Sequence, residues 1–229
     1  MHEASGALFH IGPLAVSAEV VTMWGIMLLV TLLSMFATRR LKDRPGKMQN
    51  LAELAVEKLV SFFGGILGRE KAIRYMPLLG TLFIFIVVAN YSGMMPGAGI
   101  IPGFKAPTSS LSVTAGFSLV VFFGLIIIGI KVHGLKGYLK HFLKPVFFML
   151  PFLIIEEIVR PMSLALRLYG NIFGEETVTE QLYHLMPIGA PLIMMVLSLM
   201  FCAIQAIVFT MLTAIYLDEA TATHELKAN

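Results

Sequence analysis

The stretch Pro161–Gln181, PMSLALRLYGNIFGEETVTEQ, continues out of a long apolar run yet holds Arg167, Asn171, Glu175, Glu176 and Glu180. A charge at mid-bilayer depth costs about 2.5–3.5 kcal/mol on insertion scales and more in simulations. A chain retains such a cost when something opposite the charge uses it. The plain alternative is an arginine that snorkels to the headgroups and only anchors its helix. Against that, Arg167 lies well inside its segment and polar groups follow it on the same helix.

The rest of the chain sets the medium. Of its 229 residues 57% are hydrophobic, and the mean hydropathy is +0.83, more apolar surface than a soluble domain of this length needs. Several runs approach or exceed the length that crosses a hydrocarbon core of ~30 Å. They do not alternate as β-barrel strands do, so the expected class is an all-α, polytopic integral membrane protein. The single cysteine, Cys202, permits no internal disulfide. The N-terminal MHEASGALFHIGP has no basic n-region, so no cleavable signal peptide is expected.

Taken in order, residues 20–37 are the first expected span, followed at once by Arg39, Arg40, Lys42, Arg44 and Lys47. Residues 47–64 read as an amphipathic interfacial helix, with Leu51, Ala55, Leu59 and Phe62 on one face and Asn50, Glu53, Glu57 and Ser61 on another. A plain loop helix is the alternative there. The second span, 77–93, passes Asn90 and runs into a breaker-rich external loop of Gly93, Pro96, Gly97, Gly99, Pro102 and Gly103. The third span, 111–130, leads to Lys131, Lys136, Lys140 and Lys144. The stretches 38–75 and 131–144 hold thirteen of the seventeen Lys and Arg. By the positive-inside rule they are cytoplasmic, which puts the N-terminus outside and the C-terminus inside.

Residues 146–186 could form one nearly continuous helix, with prolines at 151 and 161. Its length of about 60 Å is roughly twice the hydrocarbon thickness, so it must break or tilt strongly. A final helix over 190–217 returns inward with Gln205 in it. That gives about five membrane helices, the last two forming a long tilted hairpin.

With Arg167 at zero and about 100° per residue, Glu156 and Arg160 fall on its face and Asn171 lies one turn further along it, while Glu176 comes out opposite. Glu156 and Glu157 lie about 16 Å inward of Arg167, and Glu175 and Glu176 about 13 Å outward. Acids on both sides of one fixed cation suit two aqueous half-paths that end near the arginine without joining. Carboxylates pass protons, whereas Arg cannot be deprotonated in a protein, and it favours the ionised form of a carboxylate brought near it. Ser198 and Gln205 share a face of the last helix, and Gln205 can reach Arg167 if the hairpin packs in register. Gly170 and Gly174 bare the backbone for close approach, or serve ordinary helix packing. The chain has no GxxxxGK phosphate loop, no HExxH and no clustered Cys and His. No bound nucleotide, metal, cofactor or nucleic acid is therefore expected, and no catalysis.

RPMSLALRLYGNIFGEE resembles the signature of the subunit a family of F-type ATP synthases. LIIEE before it, IQAIVFTMLTAIYL after it, and PTSSLSVTAGFSL and KVHGLKGY upstream are similar in the same order. The resemblance covers roughly residues 75–219. It implies a stator subunit beside a rotating ring of c subunits, assembled with the b subunits of the stalk, in a bacterial inner (plasma) membrane. The family's essential arginine falls on Arg167 and its neighbouring asparagine on Asn171. Its outer acid falls on Glu176, with Glu175 beside it, and its glutamine on Gln205. An inner acidic pair found in some members falls on Glu156 and Glu157, and the asparagine ending the second span on Asn90. Some members carry an acid at Gly93, an acid and an amide at Ser110 and Ser112, and a histidine at Ser198. The outer path here would then rely on Glu176, hydroxyls and water.

The expected function is proton conduction between the outside and the c-ring through two offset half-channels separated by Arg167. The same subunit translocating Na⁺ is one alternative, and an unrelated secondary transporter is another. The latter class often carries internal repeats, and none is found. A purely structural anchor would leave the polar groups around Arg167 without a use.

Overall fold

The computed structural model describes residues 9–11, 14–39, 46–95, 105–143, 150–186 and 189–222. The breakers of the expected external loop from Pro96 to Gly103, Arg40 to Arg44 and Lys144 lie outside them. A two-stranded antiparallel ribbon, β1 Phe9–Ile11 and β2 Leu14–Val16, precedes six helices. These are α1 Ala18–Thr38, α2 Lys47–Leu67, α3 Arg69–Ser92, α4 Leu111–Leu143, α5 Leu150–Leu185 and α6 Gly189–Thr221, with a short 3-10 turn, η1, at Pro107–Ser109. The ribbon was not foreseen in the sequence.

Ala18–Thr38, Arg69–Ser92, Leu111–Leu135 and Leu192–Thr221 are long and apolar enough to cross a membrane. The protein is thus a polytopic α-helical membrane protein. α5 is not in that set, since its charges dilute its apolar windows. It belongs to the bundle through its packing against α4 and α6.

Glycines mark two boundaries. Gly68, at φ 78°, separates α2 from α3, a backbone conformation open to glycine at little cost. Hence α3 starts at Arg69, two turns before Pro77, and runs through that proline. Gly134, at φ 71°, interrupts α4 beyond the expected span of 111–130. The lysine-bearing stretch after it continues as helix to Leu143. α5 runs 36 residues through Pro161, about 54 Å at the standard rise. The helix does not break at that proline.

The α5–α6 hairpin is antiparallel and closely registered. Leu164, Leu168, Ala206 and Phe209 pack with Leu82 and Ile86 of α3 and Val121 of α4. Nearer the outer end, Ile172, Cys202 and Ala106 meet. A second cluster at the other end joins Phe63 and Leu67 of α2, Ala72 and Leu79 of α3, and Ala214 and Leu217 of α6. This turns α2 relative to expectation, because Phe63 is fully buried while Leu51 and Phe62 are exposed. Tertiary contact with α3 and α6 outweighs the helix's own amphipathic period there. Ile26 of α1 packs on Phe85 and Ala89 of α3. Thr210, Thr213 and Thr221 donate their hydroxyls to carbonyls one turn earlier. In this way α6 buries these three hydroxyls without leaving them unpaired.

Candidate functional site: the α5–α6 seam

The buried face of α5 is the stripe Pro161, Leu164, Ala165, Leu168 and Ile172. Arg167 lies beside that stripe and is exposed. It has no ion pair and no side-chain hydrogen bond among the described residues. It borders a shallow groove shared with Val159, Met162, Ser163 and Leu166. Gly170 and Gly174 continue the outward side, and a Cβ built on either would meet nothing within 4 Å. Their bareness therefore serves no packing inside this chain. The outward side of α6 is apolar, with Leu192, Ile193, Val196, Met200 and Ile204 exposed.

Gln205 sits at the level of Arg167, since Cys202 contacts Ile172 and Ala206 packs with Leu168. It is buried, however, and its Nε2 has no partner in the chain. The register anticipated from spacing is present, but no hydrogen bond joins Gln205 to Arg167. The two side chains leave their helices in different directions, one into the bundle and one out of it.

From this level outward runs a line of polar groups on several elements. Asn171 Nδ2, Glu175 Oε2, Asn90 Oδ1 and Thr108 Oγ1 are each buried without a hydrogen-bond partner among the described residues. Ser198 of α6 is buried. Asn90 of α3 uses its Nδ2 to donate to the Cys202 carbonyl of α6 at 3.5 Å. Beside it, the Tyr91 hydroxyl donates to the Leu199 carbonyl at 2.9 Å. Asn90, Asn171, Glu175, Ser198 and Gln205 thus converge between α3, α5 and α6, with Thr108 contributed by η1. Each unpaired buried polar atom costs roughly 1–3 kcal/mol, and internal water relieves that cost where groups are close together. Glu176 is exposed, on the other edge of the buried stripe.

Glu156 and Glu157 sit in an ion-pair cluster centred on Arg160. Arg160 holds Glu156 at 2.7 Å, Glu157 at 3.6 Å and Glu219 of α6 at 2.7 Å, with its guanidinium 4.9 Å from the centre of the Tyr216 ring. Glu219, Tyr216 and Arg160 were missing from the sequence-derived site. For Arg160 the one-turn spacing to Glu156 was available as a signal. Glu219 lies too far along the chain for any local pattern to couple it to α5. A cavity of about 20 Å³, lined by Ser118, Glu157, Arg160 and Tyr216 among others, adjoins this cluster. It is large enough for a single water, and Arg160 Nε beside it has no partner in the chain. A second ion pair, Lys71 to Asp218 at 2.6 Å, ties the same end of α6 to α3.

Arg160→Gln leaves three carboxylates without their shared cation. The expected result is a loss of about 1.5–3 kcal/mol, the range for hydrogen bonds to charged groups. It would appear as a lowered thermal midpoint in detergent, with the gap to wild type narrowing as salt is raised. An unchanged midpoint at low salt would mean that the cluster does not hold the hairpin.

Arg167 thus faces out of the bundle, without an ion pair among the described residues, with buried polar atoms toward one end of α5 and paired acids toward the other. Residues 20–218 match the family described as "ATP synthase A chain". The chain belongs to the ATP synthase subunit a family. It is 41% identical to "ATP synthase subunit a" of Moorella thermoacetica, over 95% of this chain and 96% of that one. It is 39% identical to "ATP synthase subunit a 2" of Bradyrhizobium sp., over 96% and 95%. "ATP synthase subunit a 1" of Chlorobaculum parvum is 36% identical over 98% of each chain. Membership in the subunit a family makes the chain a membrane component of the Fo sector that works with other ATP synthase subunits in ion transport.

Proposed function

We propose that this subunit conducts protons between the outside and a ring of c subunits through two half-channels that do not meet. The observation that carries the reading is Arg167: exposed, unpaired within the described chain, and level with the inner end of a line of buried polar atoms. Protons enter from outside past Glu175 and Glu176, with Ser198, Asn171, Asn90 and Gln205 ordering the water between them. They neutralise a c-ring carboxylate, which then crosses lipid, because a carboxylate is tolerated there only when neutral. The inner half-path runs by Glu156 and Glu157 and the Arg160 cluster. Arg167 keeps the intervening carboxylate ionised and, unable to lose its own proton, stops a direct leak. The chain itself catalyses no chemical step. The orientation follows the positive-inside rule, with the N-terminus outside and the C-terminus in the cytoplasm, in a bacterial inner membrane beside the b subunits.

The test is proximity. In the assembled complex, Gly170→Cys is expected to form a disulfide with a cysteine placed next to the c-subunit carboxylate. Native Cys202 is buried and does not compete. If cysteines at 163, 170 and 174 all fail to cross-link to any c-subunit position, the outward face of α5 does not meet the ring and the reading fails.

A further inference from the structure

Two charged residues on the outer side take part in neither half-path. Glu19 lies at the start of α1, with its side chain 7% exposed, and its Oε1 is 3.4 Å from Nζ of Lys105. The backbone N–H of Lys105 donates to the Thr22 hydroxyl of α1 at 3.3 Å. The segment that carries Lys105 is therefore fastened to α1 by both its backbone and its side chain. From there the chain goes directly into the site. Ala106 packs on Ile172 and Cys202, and η1 lies against α1, α4 and α5.

Such a fastening fixes where a charge sits. A lysine on a four-carbon stem ordinarily roams through solvent and does little for a distant group. Lys105 is held instead by a carboxylate that is itself buried, on a backbone pinned to α1. Ala106, the residue after Lys105, clusters with Ile172 of α5, one turn before Glu176, which brings the Lys105–Glu19 pair to the part of α5 that carries Glu176. The charged groups facing Glu176 are Glu175 and Glu180 on its own helix, Glu19 on α1 and Lys105 ahead of η1. α6 brings only the uncharged Ser198 beside Glu175. Among the described residues in that set, Lys105 is the one cation among four acids.

We propose that Lys105, held in place by Glu19, is a positioning residue of the outer path: its ammonium is the fixed counter-charge that sets how tightly Glu176 holds a proton in transit. This inference rests on the reading of Glu175 and Glu176 as outer-path acids. Glu19 acts through Lys105 and needs no contact with the travelling proton. The pair also explains why an acid stands at the head of an otherwise apolar helix.

The experiment uses the whole complex in vesicles. ATP synthesis is driven by an imposed potential while the outer-side pH is varied. Proton entry requires a protonated acid, so the rate falls as outer pH rises. Removing the cation lets Glu176 keep its proton to higher pH. Lys105→Met is therefore expected to move the midpoint of that fall to alkaline pH by about half a unit, the effect of one charge partly screened by solvent. Lys105→Arg keeps the charge and should follow wild type. Glu19→Gln combined with Lys105→Met removes an anion as well and should give a smaller alkaline displacement. Coincident profiles for wild type and Lys105→Met would overturn the inference. So would equal displacement in Lys105→Met and Lys105→Arg, which would make the effect one of packing. Glu175→Gln combined with Glu176→Gln separates the two levels of the argument. If that variant transports normally, the outer-path reading itself fails. If it is inactive while Lys105→Met leaves the profile unmoved, only the role of Lys105 fails.

Discussion

Arg167→Ala is expected to leave the complex assembled, abolish ATP-driven proton pumping, and keep or raise passive proton leak through the membrane sector. Assembly should persist because the guanidinium makes no ion pair or side-chain hydrogen bond with the described residues of its own chain. The core beside it is formed by Leu164, Leu168, Ala206 and Phe209, which alanine at 167 does not touch. Pumping should be lost because no other described residue at that level carries a fixed charge. Gln205 occupies the same level but is neutral and buried. Without the cation, a c-ring carboxylate passing the seam can take a proton from one side and return it to the other without rotation.

Arg167→Lys sharpens the prediction. An ammonium shifts its protonation readily when desolvated and offers no planar fork, so the substitution is not conservative at such a site. Pumping by Arg167→Lys should be lost as in the alanine variant, although the formal charge in water is the same. The measurement is acidification of vesicles holding the whole complex, with ATP added, against leak driven by a potential alone. Unchanged pumping in Arg167→Ala would make the arginine an anchor at the headgroups, and the two-path reading would fall with it.

What the sequence disclosed about this site, and what it withheld, follows from range. Apolar runs give the spans because the bilayer imposes their length. The seven-residue step from Ser198 to Gln205 gives a common face because helix geometry is local. The buried stripe of Pro161, Leu164, Leu168 and Ile172, with Arg167 at its edge, was not read from the sequence and is set by packing against α3, α4 and α6. The hydrogen bond anticipated between Gln205 and Arg167 does not form because that edge turns the arginine outward, while Gln205 belongs to the buried stripe of α6. Contacts between distant segments were not legible. Glu219 reaches Arg160, and Lys105 reaches Glu19, only after the bundle is built. The same applies to α2, where Phe63 and not Phe62 enters the core because α3 and α6 select the face. Pro77 seemed to start a helix, yet a positive-φ glycine at 68 starts it earlier.

The outer acids yield the second large effect, and their different surroundings set its form. Glu175 is half-buried, with one carboxyl oxygen lacking a partner among the described residues, while Glu176 is exposed. Two carboxyls in different settings act as successive stations and not as duplicates. Each single Gln substitution is therefore expected to lower ATP-driven pumping without stopping it, because water and the remaining carboxyl still offer a route. Glu175→Gln combined with Glu176→Gln leaves only hydroxyls and amides between the outside and Arg167. These groups hydrogen-bond but neither carry nor store a proton near neutral pH. The double variant should pump at background level while the complex remains assembled, since neither acid takes part in an ion pair among the described residues. A stronger loss from one single variant than from the other would identify the station that meets the c-ring. Wild-type pumping by the double variant would mean that protons reach Arg167 by a route that avoids this face of α5.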